Sequence, residues 1–435
     1  MELFWAQLAV VLVCIAIGGK FGGIGLGAAG GMGLFILSFI FNLAPDAPSV
    51  SVILIIIAVI TCTAILQAAG GLDLLVGLAE KILRARPNAI TFLGPLICYI
   101  FTVLCGTSYI AFSVYPVIAE IATDARVRPE RAMSMSVIAA NMALVASPIS
   151  AVVVGMLAKA ASLHISLLDI LTITLPGTLL GCLVGCLFVY KRGAELTDDE
   201  EFARRQQSGE FNPQKVSAKQ VDNPAQARLG LAIFAIGILS TVILSSFEGL
   251  RPVFDHQPMS IATTLQILML TTASLIMMLC RISPEALHEG STFKSGLIGV
   301  VGIFGLSWMT GTLFCHYNDM FISNFSNMLN EYPMLFGLIL FSLSILIYSP
   351  AATIIALMPL GVAMGLPAYT LIALLPAACA VFIIPGGAQI ACVAFDRTGS
   401  TRLGGYVVNH SFLMPGMVSL IMSVIFCMII ANTLF

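Results

Sequence analysis

Four places in this chain gather hydroxyl residues, glycine and proline inside apolar surroundings. They are Cys105-Gly106-Thr107-Ser108, Ala146-Ser147-Pro148-Ile149-Ser150, Tyr348-Ser349-Pro350-Ala351 with Thr353, and Ile384-Pro385-Gly386-Gly387. A proline inside a helix removes a hydrogen bond and collides with the preceding turn, and glycine lets the backbone unwind. Each break therefore starts a new helix within an apolar layer, near Thr107, Pro148, Ala351 and Ala388. A helix start presents unpaired N–H groups and roughly half a positive charge, and so binds anions without Lys or Arg. Two opposed starts suit a small dianion, one carboxylate at each. Asn141, just before the second break, would orient a carboxylate or a cation. Unwound carbonyls near Ala146 and Ile384 would ligate Na⁺. The candidate binding set is Gly106, Thr107, Ser108, Asn141, Ser147, Pro148, Ser150, Ser349, Pro350, Ala351, Thr353, Pro385, Gly386 and Gly387. For any one of these hydroxyls the plain alternative is a helix Ser or Thr bonded to its own backbone.

The surroundings are membrane-like. Of 435 residues, 59% are hydrophobic and 10% charged, and the mean hydropathy is +1.01. A soluble domain averages about 25% charged residues, so the chain reads as an all-α polytopic membrane protein. Apolar runs of about 17–25 residues are span candidates. They fall near 3–18, 23–41, 51–69, 132–159, 169–190, 229–248, 259–280, 295–315, 369–395 and 407–432. Residues 1–18 lack the basic start and small-residue cleavage site of a signal peptide and read as the first span.

Two further apolar runs cannot cross. The run 91–122 has basic residues on both flanks, Lys81, Arg84 and Arg86 before it and Arg126, Arg128 and Arg131 after it. Basic residues mark the cytoplasmic side, so this run enters, turns at Gly106-Thr107-Ser108 and leaves where it came in. The run 334–364 turns likewise at Tyr348-Ser349-Pro350. Backbone turns at membrane depth are tolerated where protein or a water-filled cavity satisfies their polar groups. A short amphipathic helix precedes each hairpin, at 71–83 and 319–331, and a broken span follows each.

The plan is two repeats of five spans plus one re-entrant hairpin. Five is odd, so the second repeat is inverted. With residue 1 outside, only Lys159 and Arg251 of the 20 Lys+Arg fall outside. Both termini are then expected on the periplasmic side. The domains read as 1–70 and 229–315 (scaffold helices of each repeat), 71–190 and 316–435 (amphipathic helix, hairpin and transport helices of each repeat), and 191–228 (cytoplasmic linker). In the linker, Thr197-Asp198-Asp199-Glu200 has the pattern of a helix N-cap with acids in the first turn.

Several classes drop out. The net charge of −2 argues against a nucleic-acid partner. The 11 cysteines lie scattered in apolar runs with no metal spacing, and no catalytic pair appears, so an enzyme is not expected, nor a cofactor beyond a coupling Na⁺ or H⁺. Gly25-Leu26-Gly27-Ala28-Ala29-Gly30 matches a dinucleotide fingerprint but begins a membrane span. Gly23, Gly27 and Gly31, spaced by four, read as close helix packing. Arg84, Arg86, Arg128 and Arg131 are first of all topology determinants, and either pair would also draw dianions toward the inner mouth.

The chain resembles the bacterial Dcu transporters, which exchange C4-dicarboxylates during anaerobic growth. The likeness runs nearly the whole length. It is carried by Gly18-Gly19-Lys20-Phe21-Gly22-Gly23-Ile24, Leu66-Gln67-Ala68-Ala69-Gly70-Gly71-Leu72-Asp73, Ala79-Glu80-Lys81-Ile82-Leu83-Arg84, Cys105-Gly106-Thr107, Arg128-Pro129-Glu130-Arg131 and Ala146-Ser147-Pro148-Ile149-Ser150. Its most specific part is Phe395-Asp396-Arg397-Thr398-Gly399-Ser400-Thr401-Arg402 leading into Asn409-His410-Ser411-Phe412. The resemblance implies exchange of fumarate, succinate, malate or aspartate across a bacterial inner membrane. It implies kinship with the ion-transporter superfamily, whose members are typically homodimers with a fixed scaffold and an elevator-like transport domain. It further implies transport roles for Arg84, Arg128 and Arg131, and contact of the Asp396 region with a dicarboxylate-sensing kinase. Cation-coupled uptake and a co-sensor role for a membrane histidine kinase are the alternatives. The chain departs from the family pattern at Ile384-Pro385-Gly386-Gly387-Ala388 and at Tyr348-Ser349-Pro350, where relatives carry more hydroxyl and amide groups.

Overall fold

The computed structural model describes residues 2–434 apart from 22–23, 49, 160, 164, 209–210, 212–220, 222, 255, 284, 286–290, 318–319, 321–330, 386 and 404–408. It is almost wholly helical, with one short strand pair at 253–254 and 257–258. The first part runs α1 (Glu2–Phe21), α2 (Ile24–Phe35, ending in a π-turn at Ile36–Ile40), α3 (Val50–Ala68) and the amphipathic α4 (Gly71–Ala85). Then come α5 (Ile90–Cys105), α6 (Tyr115–Asp124), α7 (Pro129–Met142), α8 (Ala151–Lys159) and α9 (Leu167–Val189). A short α10 (Glu200–Ser208) leads to α11 (Pro224–Ser246), α12 (Ile261–Leu279) and α13 (Ser291–His316). The chain closes with α14 (Met334–Ile347), α15 (Pro350–Ala363), α16 (Ala368–Ala373), a 3₁₀ stretch Leu375–Phe382, α17 (Gly387–Phe395) and α18 (Leu413–Leu434). Every expected span coincides with a helix or a broken helix. The second amphipathic helix, at 319–331, lies almost entirely outside the described residues.

Both hairpins turn back on themselves. Arg84, just before α5, reaches Glu120, near the end of α6, with Nη2 3.1 Å from Oε1. The two ends of the first hairpin are therefore side by side. In the second, a Cβ on Gly361, near the end of α15, would stand 2.8 Å from the ring of Phe336, near the start of α14.

The turns themselves follow from residue type. Gly106 closes α5 with φ +70°, and its N–H donates to Thr102 O at 2.8 Å. A side chain there would meet Ile149 at about 3 Å, so the tip lies tight against the break in the next span. Thr107 is extended, and a 3₁₀ run Ser108–Ser113 links it to α6. Tyr348 takes the matching left-handed place at the end of α14, φ +56°, without being glycine. Ser349 then caps α15, its Oγ accepting from the Ala352 N–H at 3.3 Å, and Pro350 occupies the first helical position.

The helices form two groups. In one, α2 packs on α1 and α13, α3 on α12 and α13, and α11 on α12. In the other, α7 packs on α5, α18 on α9, α15 on α8, and the 3₁₀ stretch on α14 and α18. The first group is held by a near backbone contact. A Cβ on Gly27 would lie 2.1 Å from Val301 O, one on Gly30 2.4 Å from Gly305 C, and one on Gly33 2.1 Å from the Met309 sulfur. The glycine face that matters is thus 27, 30 and 33. Of the expected stripe Gly27 is in the contact, Gly31 meets nothing within 4 Å, and Gly23 lies outside the described residues.

Candidate membrane-embedded anion site

The two hairpin tips line one cavity of about 470 Å³. This volume lies within the range of roughly 300–1,000 Å³ usual for small-molecule sites. Gly106, Thr107 and Ser108 come from the first tip and Ser349, Pro350 and Ala351 from the second. Asn141, near the end of α7, completes the predicted residues on its wall. The facing side is largely apolar and comes from α3 and α13, through Ile55, Val59, Gly296 and Ile303 among others, with Thr63 and Thr292 as its polar members. Among the described residues, no Lys, Arg, Asp or Glu lines the cavity.

The hydrogen bonds sort the predicted hydroxyls. Ser147 donates to Val103 O at 2.7 Å, fastening the first break to α5. Ser150 donates to Leu144 O and caps α8 by accepting from the Val153 N–H at 3.2 Å. Thr353 donates to Ser349 O at 2.9 Å. These three and Pro148 and Pro385 are not among the described residues of the cavity wall, while Gly386 and the surroundings of Gly387 are not described. The serines and the threonine are spent on shaping the breaks and the second tip. Thr107 and Ser349 do both jobs. Thr107 Oγ1 accepts from the Tyr109 N–H at 3.4 Å while its residue faces the cavity.

The two broken spans meet each other. Asn141 Nδ2 donates to Cys379 O at 2.8 Å, and the Cys379 thiol approaches Asn141 O at 3.5 Å. Cys379 is where the 3₁₀ stretch kinks. Asn141 thereby joins the break of one span to that of the other while its residue lines the cavity. Near Ala146 and Ile384 the backbone is indeed unwound.

Five polar wall residues escaped the sequence reading, Thr63, Tyr109, Tyr115, Thr292 and Gln389, and Tyr348 was read as part of the turn but not as a wall residue. Tyr348 Oη donates to Gln389 Oε1 at 3.1 Å, linking the second tip to the start of α17. Gln389 is buried in an otherwise apolar helix, which is the signal that would have found it. The tyrosines gave none, since aromatic residues in apolar runs pack in most cases.

The charged candidates lie elsewhere. Arg84 bridges Glu80 at 2.8 Å and Glu120 at 3.1 Å, joining α4 to α6. Arg128 and Arg131 are buried at the start of α7. Arg128 holds Glu130 and Asp199. Arg131 holds Glu195 at 3.0 Å and the carbonyls of Arg192 and Gly193. Both clasp the linker onto the helix. Burial works against the charge of Asp199, but the Phe202 N–H and Arg128 outweigh it and hold the carboxyl below its ordinary range. The cap of α10 is Asp199, accepting from Phe202 N at 3.0 Å, rather than Thr197, which falls in a separate 3₁₀ turn at 196–198. Asp396 is buried and gathers its own loop, accepting from Thr398 N, Ser400 Oγ and Thr401 N at 2.7–3.0 Å.

The cavity thus gathers backbone turns and hydroxyls, with no charged residue on its described wall, where two turned-back hairpins meet. The family model for anaerobic C4-dicarboxylate membrane transporters matches residues 3–435. The chain belongs to that family. It is similar to the anaerobic C4-dicarboxylate transporter DcuB of Escherichia coli O157:H7, 37% identical over 440 residues, with 99% of this chain and 98% of that one covered. It is also similar to the C4-dicarboxylate transporter DcuA of Wolinella succinogenes, 37% identical over 437 residues, covering 98% and 99%. The DcuA of Helicobacter pylori is 34% identical over 441 residues, covering 98% of each chain. As a member of a transporter family, the protein is not an enzyme. Eight of its described helices are long and apolar enough to cross a membrane.

Proposed function

We propose that this protein carries C4-dicarboxylates such as fumarate, succinate, malate and aspartate across a bacterial inner membrane, exchanging one for another. The single observation that carries this reading is the cavity shared by the two tips, one opening a 3₁₀ turn at Ser108 where a helix start was expected near Thr107 and the other an α-helix at Pro350, with no charged residue on its described wall. Pro350 has no N–H, and Ser349 takes that of Ala352, so Ala351 N–H is the first donor of α15. At the other tip the Thr107 and Ser108 hydroxyls and N–H groups play the same part. A dicarboxylate spanning the cavity would place one carboxylate at each tip. Its two charges would meet dipoles that need no counter-ion, so the loaded unit can cross an apolar layer without moving buried cations with it.

The cavity wall divides between the two helix groups. This favours an elevator in which the hairpins with α7–α9 and α16–α18 (71–190 and 316–435) move against a scaffold of α1–α3 and α11–α13 (1–70 and 229–315). We read the two halves as inverted repeats, the termini as periplasmic, and the scaffold as the face of a homodimer. Proteoliposomes loaded with fumarate should take up labelled succinate several-fold faster than empty ones. No stimulation by internal dicarboxylate would remove exchange. Uptake driven by an imposed Na⁺ or H⁺ gradient alone would put cation coupling in its place, with Asn141 Oδ1 and the unwound carbonyls as the ligands to examine.

A further inference from the structure

A second cavity, of about 240 Å³, opens at the other end of α7. It lies roughly 16 Å along the helix from Asn141, at 1.5 Å per residue. None of its wall residues lines the tip cavity. Its described walls are the first turn of α7, Val189 and Arg192 at and after the end of α9, Arg402, and Asn409 to Ser411. Four arginines reach it, Arg128, Arg131, Arg192 and Arg402, against one acid, Glu130.

The charges are not all neutralised. Arg128 is paired with Glu130 and Asp199, and Arg131 with Glu195. Glu130 is spent, since its other oxygen accepts from Ser411 Oγ at 2.5 Å. Asp396 is enclosed by its own loop. His410 adds no charge: its Nδ1 accepts from the Phe412 N–H at 3.2 Å, which fixes the neutral form with Nε2–H donating to Ile383 O at 3.1 Å. Arg192 and Arg402 remain. Arg192 lies over the Phe188 ring, 5.3 Å from its centre. Among the described residues neither has a carboxylate within 4 Å. Both are exposed at the mouth of a polar-walled recess.

Two exposed guanidinium forks without a close carboxylate, one of them within electrostatic reach of Asp199, suit a planar or tetrahedral oxyanion, which each can hold by paired hydrogen bonds. We propose that this recess is a second anion site, separate from the transport cavity, for a small soluble dianion (inorganic phosphate or a dicarboxylate) held between Arg192 and Arg402. All its walls belong to the helix group of α7, α9 and α18. A bound anion therefore does not bridge the two groups. It ties the segment after α9 to the loop before α18, at the surface where the linker is clasped. The proposal stands whether or not the tip cavity is the transport site.

Equilibrium dialysis of the purified full chain against labelled phosphate and labelled succinate, at low ionic strength, tests it. At least one probe should show a saturable site that Arg192→Gln/Arg402→Gln weakens by about tenfold or more, the loss of about 1.4 kcal/mol. Phosphate binding alone assigns a phosphate site, and loss of one of two succinate equivalents assigns a dicarboxylate site. Monodisperse elution and unchanged succinate exchange show that the double variant is folded. Arg402→Gln alone gives the same reading on an exposed side chain with a smaller loss. Isotherms for both probes that these substitutions leave unchanged, or no saturable binding of either, overturn the proposal.

Discussion

Two cavities among the described residues are lined by opposite kinds of group. The one at the tips has helix starts, hydroxyls and amides and not one formal charge on its described wall. The one at the base of α7 has four arginines. The difference follows from where each stands. A cation carried through an apolar layer is costly, so under the proposed elevator reading a moving site is better built from dipoles that the fold already holds in place. The recess at the base of α7 has acids at hand in Glu130, Glu195 and Asp199, and the proposed anion would use there the arginines that do not clasp the linker. The same contrast explains the hydroxyls. Ser147, Ser150 and Thr353 satisfy the unwound backbone so that Thr107 and Ser349 can face a guest.

The sharpest way to break this contrast is at the clasp. Arg128→Ala would strand Asp199 as a buried, unpaired carboxylate, and should cost about 3–5 kcal/mol of stability. A fall in melting temperature, followed by fluorescence-detected gel filtration, checks it. An unchanged melt would mean that the arginine is a ligand more than a clasp. At the first tip, Gly106→Ala forces an L side chain to φ +70° against Ile149, at about 1–2 kcal/mol for the backbone alone. Exchange should fall well before folding does, read as a loss of uptake with normal expression. Thr107→Val and Ser349→Ala should each weaken succinate binding by about 1–3 kcal/mol, measured by calorimetry. Unchanged affinity in both would move the transport site elsewhere.

The smallest effect concerns pH. The folded pKa of Asp199 lies below its ordinary value, so its stabilisation is present above that value and is lost as the pH falls through the folded one. Protease cleavage within 191–208 should rise on acidification below about pH 4, the usual carboxylate range. Asp199→Asn should show that cleavage already at neutral pH.

Much of this was legible in the chain. The breaks at Ser147-Pro148 and Pro385-Gly386 announce themselves because proline and glycine act on their own backbone, and the hairpin at Gly106 because arginines flank both its ends. What the sequence could not say was which hydroxyls face the cavity. Ser147 and Thr107 look alike in a string, and only the neighbouring helix decides that one bonds Val103 O and the other lines the wall. Tyr348 and Gln389 were hidden for the same reason. Their pairing spans 41 residues and depends on α17 folding back beside the second tip. The arginines misled in the other direction. Arg128 and Arg131 resemble free attractors of anions until the acids of the linker, far along the chain, are seen to hold them.

The central claim is that both tips face one guest. It is tested most directly by substituting Thr107→Cys and Ser349→Cys separately in a Cys315→Ser background, since Cys315 is the exposed one among the native free cysteines and the others are buried. Succinate should slow maleimide labelling at both positions, in the same concentration range. Protection at one tip only, or at neither while exchange persists, would contradict the account.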